Sequence, residues 1–189
     1  MIDRERTYFE SFRRVSKAIN STLEVQEVLN LLVLQVAEVM ELKACAIRLL
    51  HPKRRTLELL AYHGLSDSYV HKGPVDVDRS IAEAMQGKTV SIYNVPEDPR
   101  TQYPEQARAE GVASMVSVPL AIKGRVIGVL RLYTGSPREF GEDELNFAEA
   151  LAEMGSIAIE NARMYERIKK DYESVMSDVY SFVGYRRSF

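Results

Sequence analysis

The alternation of apolar and polar residues in the second half of the chain predicts a β-hairpin. Valine and leucine occupy every second position over residues 116–120, and residues 126–132 are mostly apolar. Both runs are rich in β-branched residues, which favour strands. Lys123 and Gly124 lie between the runs, and glycine adopts the positive φ that a two-residue hairpin turn requires. We therefore expect a buried hairpin within residues 112–140, with the rest of the domain built around it.

Similar patterns predict the remaining elements. Short apolar runs bounded by turn residues are typical of strands, and apolar residues recurring every three or four positions are typical of helices. The run over 25–40 is apolar almost all round, which indicates a helix that is covered on two sides. The other predicted elements are strands over 44–50, 56–62 and 88–93, a turn at 51–55, short helices over 79–86 and 104–110, and a long helix from 142 to about 180.

Both ends of the chain carry apolar residues spaced three and four apart, as in a coiled-coil seam. Beyond Ala162 only this seam continues, so we expect the last helix to leave the domain and to meet another helix. Its partner is either the N-terminal helix of the same chain or a second copy, which would form a four-helix bundle around a two-fold axis. We predict the homodimer. The seam residues are Tyr8, Phe12, Val15, Ile19, Tyr165, Ile168, Tyr172, Val175 and Val179.

Length and composition limit the domain organisation. A chain of 189 residues with 46% hydrophobic and 28% charged residues is typical of one globular domain. We predict an N-terminal dimerisation helix over residues 1–20, a domain over 21–165 and a helical extension over 166–189.

Charge and cysteine content restrict the partners. The net charge of −2 gives no indication of a nucleic-acid partner. No run approaches the ~18 apolar residues that would span a bilayer, so we expect no membrane partner. The single cysteine, Cys45, excludes an intrachain disulfide and a multi-cysteine zinc site, and it suits a reducing compartment. These properties predict a cytoplasmic protein.

A series of short motifs accompanies the predicted elements. The motifs are Ala44-Cys-Ala-Ile-Arg-Leu-Leu, Leu57-Glu-Leu-Leu-Ala-Tyr-His-Gly-Leu, Gly87-Lys-Thr-Val, Ser117-Val-Pro-Leu, Gly124-Arg-Val-Ile-Gly-Val-Leu, Phe140-Gly-Glu-Asp-Glu-Leu and Ala158-Ile-Glu-Asn-Ala. Their order resembles that of a GAF domain, the small-molecule-sensing module of signalling proteins. The resemblance implies an α/β (α+β) fold with a central antiparallel sheet of five to six strands. Helices 1 and 2 and the long C-terminal helix would cover one face, and short helices and loops would enclose a pocket on the other.

The ligand classes of GAF domains carry residues that can be sought in this sequence. The cyclic-nucleotide class has an Asn-Lys pair, which is absent here, although Phe140, Asp143 and Glu144 are similar to its later residues. The tetrapyrrole class attaches its chromophore to a pocket cysteine, whereas Cys45 is expected to alternate with Ile47 on the helix-covered face. The methionine-sulfoxide-reducing class needs several cysteines. The resemblance therefore leaves the ligand and any cofactor unidentified, and a redox enzyme is a distant alternative.

Other catalytic motifs are missing from the sequence. His51, His63 and His71 lack the i, i+4 spacing of a metalloprotease helix, and there is no Gly-rich phosphate loop or nucleophile elbow. We interpret the three histidines as surface residues, with a haem or metal ligand at His63 or His71 as the alternative. We predict that the domain is not an enzyme.

Two arginines interrupt apolar strands and are the main candidate binding residues. If Leu50 pairs with Thr56 in the first hairpin, Arg48 faces Glu58. The GAF resemblance places the strand of Arg131 beside that of Arg48. Strand alternation then sets these side chains on the pocket face, because Gly128 and Ser117 suit the face beneath the last helix. The candidate ligand-binding residues are Arg48, Glu58, Arg131, Tyr133 and Val116.

Two interpretations of this charged group remain open. A buried guanidinium needs a partner. Arg48, Glu58 and Arg131 could form a ladder that satisfies itself, or the group could bind an anion, because one carboxylate balances only one guanidinium. We predict a non-enzymatic sensory or regulatory domain that binds a small anionic ligand and signals through a helical dimer to a downstream protein. The alternative is a scaffold with a closed pocket that acts only in dimerisation or protein interaction.

Overall fold

Six antiparallel strands form one sheet in the order β3-β2-β1-β6-β5-β4. The computed structural model describes residues 2–21, 24–51, 53–78 and 81–186, with side chains over 5–21, 24–51, 53–78 and 81–177. The sheet confirms the predicted architecture and includes one short strand, β3, that the sequence pattern did not indicate. The strands are β1 Ala44–Leu50, β2 Thr56–His63, β3 Val75–Asp76, β4 Val90–Ile92, β5 Ser114–Ile122 and β6 Arg125–Thr134.

The predicted central hairpin is formed by β5 and β6. Lys123 and Gly124 turn the chain with φ values of 49° and 77°. Because both residues adopt the left-handed backbone conformation, the turn matches the twist of the two strands. β6 also pairs with β1 and lies in the middle of the sheet. Gly128 permits this approach, since a Cβ there would collide with the carbonyl oxygen of Arg48 on β1.

Three helices cover one face of the sheet, as predicted. They are α1 Ile2–Ser21, α2 Val25–Val39 and α5 Glu142–Arg186. Cys45 and Ile47 of β1 belong to the apolar core beneath them. Helix α2 contacts strands β1 and β2 as well as helices α1 and α5, which explains why apolar residues occupy most of its surface. A Cβ on Gly155 of α5 would lie 3.0 Å from Leu32 of α2, so the glycine lets these helices pack closely.

Short elements cover the other face. They are α3 Asp67–Val70, the 3₁₀ helix Ala84–Gln86 and α4 Pro104–Glu110. Helix α4 has the predicted bounds and ends at left-handed Gly111, with φ of 71°. The 3₁₀ helix is shorter than the predicted helix, whose first residues, Arg79 and Ser80, lie outside the described residues. Helix α3 was not predicted.

The apolar face of α1 is largely used within the chain. Tyr8 stacks on Phe147 of α5 with ring centroids 4.2 Å apart, and Val15 is fully buried in the core. Ile19 packs against the same core. The prediction that Val15 contributes to an intermolecular seam is therefore wrong, because a side chain without exposed surface has none to offer a second copy. Phe12 remains 39% exposed.

Candidate functional site

Arg48 and Arg131 lie on the face opposite the long helices. Arg131 pairs with Ala46, and Arg48 pairs with Val129, so the two arginines are diagonal neighbours on adjacent strands. Ala46 and Tyr133 belong to the apolar cluster that includes Tyr69 of α3 and Ala107 of α4, so this face of the strands lies beneath the short elements. The side chains of Arg48 and Arg131 are both buried. The sheet thus carries two guanidinium groups into the space beneath the short elements.

Glu58 does not lie opposite Arg48, so this part of the predicted site is wrong. The backbone N–H of His51 donates to the carbonyl of Thr56 at 2.8 Å, and strand pairing reaches one residue closer to the turn than predicted. Arg48 consequently pairs with Leu59, whereas Glu58 pairs with Leu49 on the other face. A shift of one residue reverses the face of every side chain on a strand. Glu58 is exposed and lies 3.8 Å from Nε2 of His51.

Val116 and Ser117 occupy the opposite faces from those predicted. A regular register from the turn would pair Val116 with Arg131, but a β-bulge shifts the pairing between Leu120 and Ala121. Val116 therefore pairs with Leu132 and lies in the helix-covered core, and Ser117 pairs with Arg131 in the pocket. The prediction that Val116 faces the pocket is wrong, and Ser117 lies on that face instead.

Two further residues of the site, Tyr69 and Lys72, were not found by sequence reasoning. Tyr69 belongs to α3, and its ring meets that of Tyr133 edge to face at 6.1 Å. The ammonium of Lys72 lies 3.4 Å from the centroid of the Tyr69 ring and donates to the Tyr69 carbonyl at 3.1 Å. This segment shows no strand or helix periodicity, and its one sequence signal is a lysine one turn after an aromatic residue.

The electrostatic environment of Lys72 is dominated by desolvation and by the arginines. Burial, followed by Arg48 and Arg131, lowers the pKa of Lys72 to about 7. The carboxylate of Glu110 on α4 acts in the opposite direction. Glu110 also accepts hydrogen bonds from the backbone N–H of Ser66, at 2.9 Å, and from its hydroxyl, which ties α4 to α3. Burial also raises the pKa of Tyr69, so this residue presents a neutral phenol.

Several buried donors of the site lack a hydrogen-bond partner within the described part of the chain. They are Nε and Nη2 of Arg48, Oγ of Ser117, Oγ1 of Thr101 and the Tyr133 hydroxyl. A buried polar group left without a partner typically costs about 1–3 kcal/mol, and more when it is charged. The clustering of such groups on one face of the sheet indicates a site that an acceptor could complete.

The carboxylates of the pocket walls contact other groups. Asp78 pairs with Arg55 at 2.6 Å. Glu83 lies 3.7 Å from Arg100, and Oδ2 of Asp76 accepts a hydrogen bond from Gln102 at 3.2 Å. These contacts tie the three carboxylates to Arg55, Arg100 and Gln102.

A small cavity of about 20 Å³ lies beside Arg131, the strand neighbour of Arg48. Its polar lining is provided by Arg131, Lys72, Tyr69, Thr101, Gln102 and Tyr103. Its apolar lining is provided by Val75, Val95 and Met115. The segment around Gly73 is held in place because the Tyr103 hydroxyl and the Gln102 amide donate to the Pro74 carbonyl at 2.7 and 3.1 Å.

The cysteine and histidines lie apart from this cavity. Cys45 is fully buried on the helix-covered face, as predicted, and burial raises the pKa of its thiol. His63 and His71 are exposed, and Nδ1 of His71 lies 2.8 Å from the Asp67 carbonyl. Among the described residues, no three His, Cys, Asp or Glu side chains form a group that could hold a metal ion.

The extension of α5 leaves an apolar stripe in solvent. Tyr165, Ile168, Tyr172 and Val175 are between 48% and 65% exposed. Tyr165 lines a groove together with Ile19 of α1, whereas Ile168, Tyr172 and Val175 are at least 60% exposed. The intrachain alternative therefore leaves the stripe from Ile168 to Val175 largely uncovered. The side chain of Val179 lies outside the described residues.

None of the helices in the described part of the chain combines the length and the apolar character that a bilayer crossing needs.

Similar solved structures share this fold. The GAF domain of an Acinetobacter phosphoenolpyruvate-protein phosphotransferase is 26% identical, with a TM-score of 0.71 over 82% of this chain and 94% of that chain. The GAF domain of the Coxiella burnetii phosphotransferase ptsP is 19% identical, with a TM-score of 0.74 over 86% and 98%. A free methionine-R-sulfoxide reductase from Neisseria meningitidis is 19% identical, with a TM-score of 0.70 over 84% and 91%.

Curated relatives include a regulator and a sensor. The formate hydrogenlyase transcriptional activator of Salmonella typhimurium is 21% identical over 94% of this chain and 27% of its own length. The methyl sulfide methyltransferase-associated sensor of Methanosarcina acetivorans is 29% identical over 85% of this chain and 17% of its own length. The chain thus spans about a quarter or less of these relatives. A family model described as GAF domain matches residues 22–160. The chain belongs to the GAF domain family.

Proposed function

We propose that this chain is a sensory or regulatory domain without catalytic activity, that it binds a small anion at Arg48 and Arg131, and that it signals through a homodimer of α5. The regulatory class is supported by the similarity to a transcriptional activator and a sensor. The output would pass to a downstream signalling protein.

One observation carries the ligand part of the proposal. Arg48 is buried in the sheet, and its Nε and Nη2 donors lack partners among the described residues. Desolvating a guanidinium without acceptors is unfavourable, whereas a carboxylate or another oxyanion supplies acceptors and neutralises the charge. An anion bound here would therefore stabilise the folded domain by mass action.

The position of the arginines suggests a route from the ligand to the helices. Arg48 belongs to β1 and Arg131 to β6, and the alternate residues of these strands contact the helix layer, as Ile47 and Leu132 do. A ligand that draws α3 and α4 toward the sheet would favour one packing of α2 and α5 over another. The exposed stripe of α5 would convert this preference into a change at the dimer interface.

The test is the thermal stability of purified protein with a panel of carboxylates, phosphates and nucleotides at constant ionic strength. We expect at least one anion to raise the melting temperature, and Arg48→Met to abolish that shift while the variant remains folded. Arg125→Met is the matched control, because it removes a guanidinium from the exposed start of β6. A melting temperature that no anion raises, or equal shifts in both variants, would contradict anion binding.

The small size of the cavity favours the second candidate function. A space of about 20 Å³ is compatible with a scaffold whose pocket is closed and whose role is dimerisation or protein interaction. A dimer that forms through α5 but responds to no anion would support that function. A redox enzyme is disfavoured, because the single cysteine is buried away from the cavity.

A further inference from the structure

Resting on the function proposed above, we infer that the ligand is a small monocarboxylate of only a few non-hydrogen atoms, held by Arg48, Arg131 and Lys72, and that its binding takes up a proton on Lys72.

The charges around the cavity favour an anionic ligand. Arg48 on β1, Arg131 on β6 and Lys72 after α3 act on one another, and Glu110 on α4 is the acidic group that acts on Lys72. The phenols of Tyr69 and Tyr103 complete the polar surroundings of Lys72 in the cavity. With Lys72 protonated, these four ionised side chains carry three positive charges and one negative charge. One carboxylate reduces this imbalance and accepts hydrogen bonds from the buried donors.

The cavity limits the size of that ligand. A volume of roughly 10–15 Å³ holds one water molecule, and this cavity measures about 20 Å³. The space is therefore little larger than one water molecule, so it accepts a single carboxylate group at most, and an apolar tail requires its walls to move. Val95 and Met115 offer apolar contacts for the tail. A phosphate or a nucleotide would require the segment pinned by Gln102 and Tyr103 to open.

Binding is coupled to the protonation of Lys72. Without an anion beside it, the lysine has a pKa of about 7, so roughly half of the molecules carry a neutral amine at neutral pH. An anion beside Lys72 favours the ammonium form and raises its pKa. Below pH 7 the lysine is charged with or without ligand, and the affinity is constant. Above pH 7 binding takes up a proton, so the affinity falls with a slope approaching about tenfold per pH unit.

The experiment measures the melting temperature and the dissociation constant of the unmodified protein with formate, acetate, propionate, butyrate, hexanoate and phosphate. All the carboxylates are fully ionised between pH 6.5 and 9 because carboxyl pKa values lie near 4. We expect the tightest binding among the first three, a loss of at least tenfold by hexanoate, and weakening above pH 7. Tightest binding of hexanoate or phosphate would overturn the inference while leaving anion binding intact. No binding by any anion would overturn both.

Variants of Lys72 test separately whether this residue takes up the proton on binding. Lys72→Arg keeps the charge at all these pH values, so the smallest carboxylates should bind with a flat pH dependence. Lys72→Met should bind them at least tenfold more weakly at pH 6.5, also with a flat dependence. Lys123→Met, in the exposed hairpin turn, is the control and should retain the slope. A slope that persists in Lys72→Arg would overturn the assignment of the proton to Lys72.

Discussion

At the residue scale, the site consists of cations that the fold holds away from water. Arg48 is buried in a sheet whose other inward side chains are mostly apolar, and Lys72 covers the ring of Tyr69. Cation–aromatic contact compensates part of the desolvation of the ammonium. The lowered pKa of Lys72 shows that this compensation is incomplete. The burial of these charges therefore lowers the stability of the folded domain.

A pH dependence of stability follows from Lys72. Its pKa is about 7 in the folded chain and near 10.5 in the unfolded chain, so between these values the unfolded state binds more protons. The free energy of unfolding should therefore rise as the pH increases from 7 toward 10, because Lys72 has lost its proton in the folded chain but still binds it in the unfolded chain. Lys72→Met should lack this part of the rise and should be more stable than the unmodified protein at pH 7.

Urea unfolding at pH 7, 8 and 9 in a buffer without carboxylates checks this prediction. Lys123→Met serves as the control because Lys123 is exposed. If the unmodified protein and Lys72→Met gain stability in parallel over this range, Lys72 is not the group responsible.

Sequence reasoning could find the residues whose charge distinguishes them from apolar neighbours. Arg48 and Arg131 stand out as charges in apolar strands, and their face followed from alternation. The faces of Glu58 and Val116 were predicted wrongly because each depends on a strand register. The length of a turn sets the register of Glu58, and a β-bulge sets that of Val116. Strand register is determined by contacts between strands, and the pattern of apolar and polar residues within one strand does not indicate it. Lys72 lies in an irregular segment, where position depends entirely on tertiary contacts.

At the element scale, α5 has two parts with different surroundings. Its first turns pack on the sheet and on α2, where Gly155 permits close contact. Its later turns carry the exposed stripe from Tyr165 to Val175. The two parts share one helix, so movement of the packed part reorients the exposed part. Sequence reasoning predicted this helix well, because a long uninterrupted period of three and four is a local property.

The stripe should form the dimer interface. A double variant with Ile168→Asp and Val175→Asp places charges in an apolar seam and should yield a folded monomer, with little change in helix content. Lys170→Asp is the control, since Lys170 lies on the opposite side of the helix and should leave the dimer intact. Light scattering over a range of concentrations measures the mass. An unmodified protein that is monomeric at high concentration would contradict the proposed interface.

At the scale of the whole molecule, the sheet separates the binding face from the helix face by the thickness of one layer. The side chains of Ala46 and Arg131 lie on the cavity face of the sheet, and those of their neighbours Cys45 and Leu132 lie on the helix face. Such alternation gives each strand contact with both sides, so a ligand does not need a long path to influence the helices. The family assignment and the fold follow from patterns spread over most of the chain. The ligand depends on a few contacts, which explains why its identity was not predicted.

The continuity of α5 makes rotational phase a property that can be measured. The helix has 45 residues and, at roughly 1.5 Å per residue, extends about 67 Å. Each residue turns the helix by about 100°, so two residues inserted after Glu166 would rotate the stripe beyond them by about 200°, whereas seven would return it almost to its original direction. We expect the two-residue insertion to weaken the dimer and the seven-residue insertion to preserve it. Equal dissociation constants for the two insertions, measured by analytical ultracentrifugation, would show that Tyr165 and Ile168 need not face the same partner.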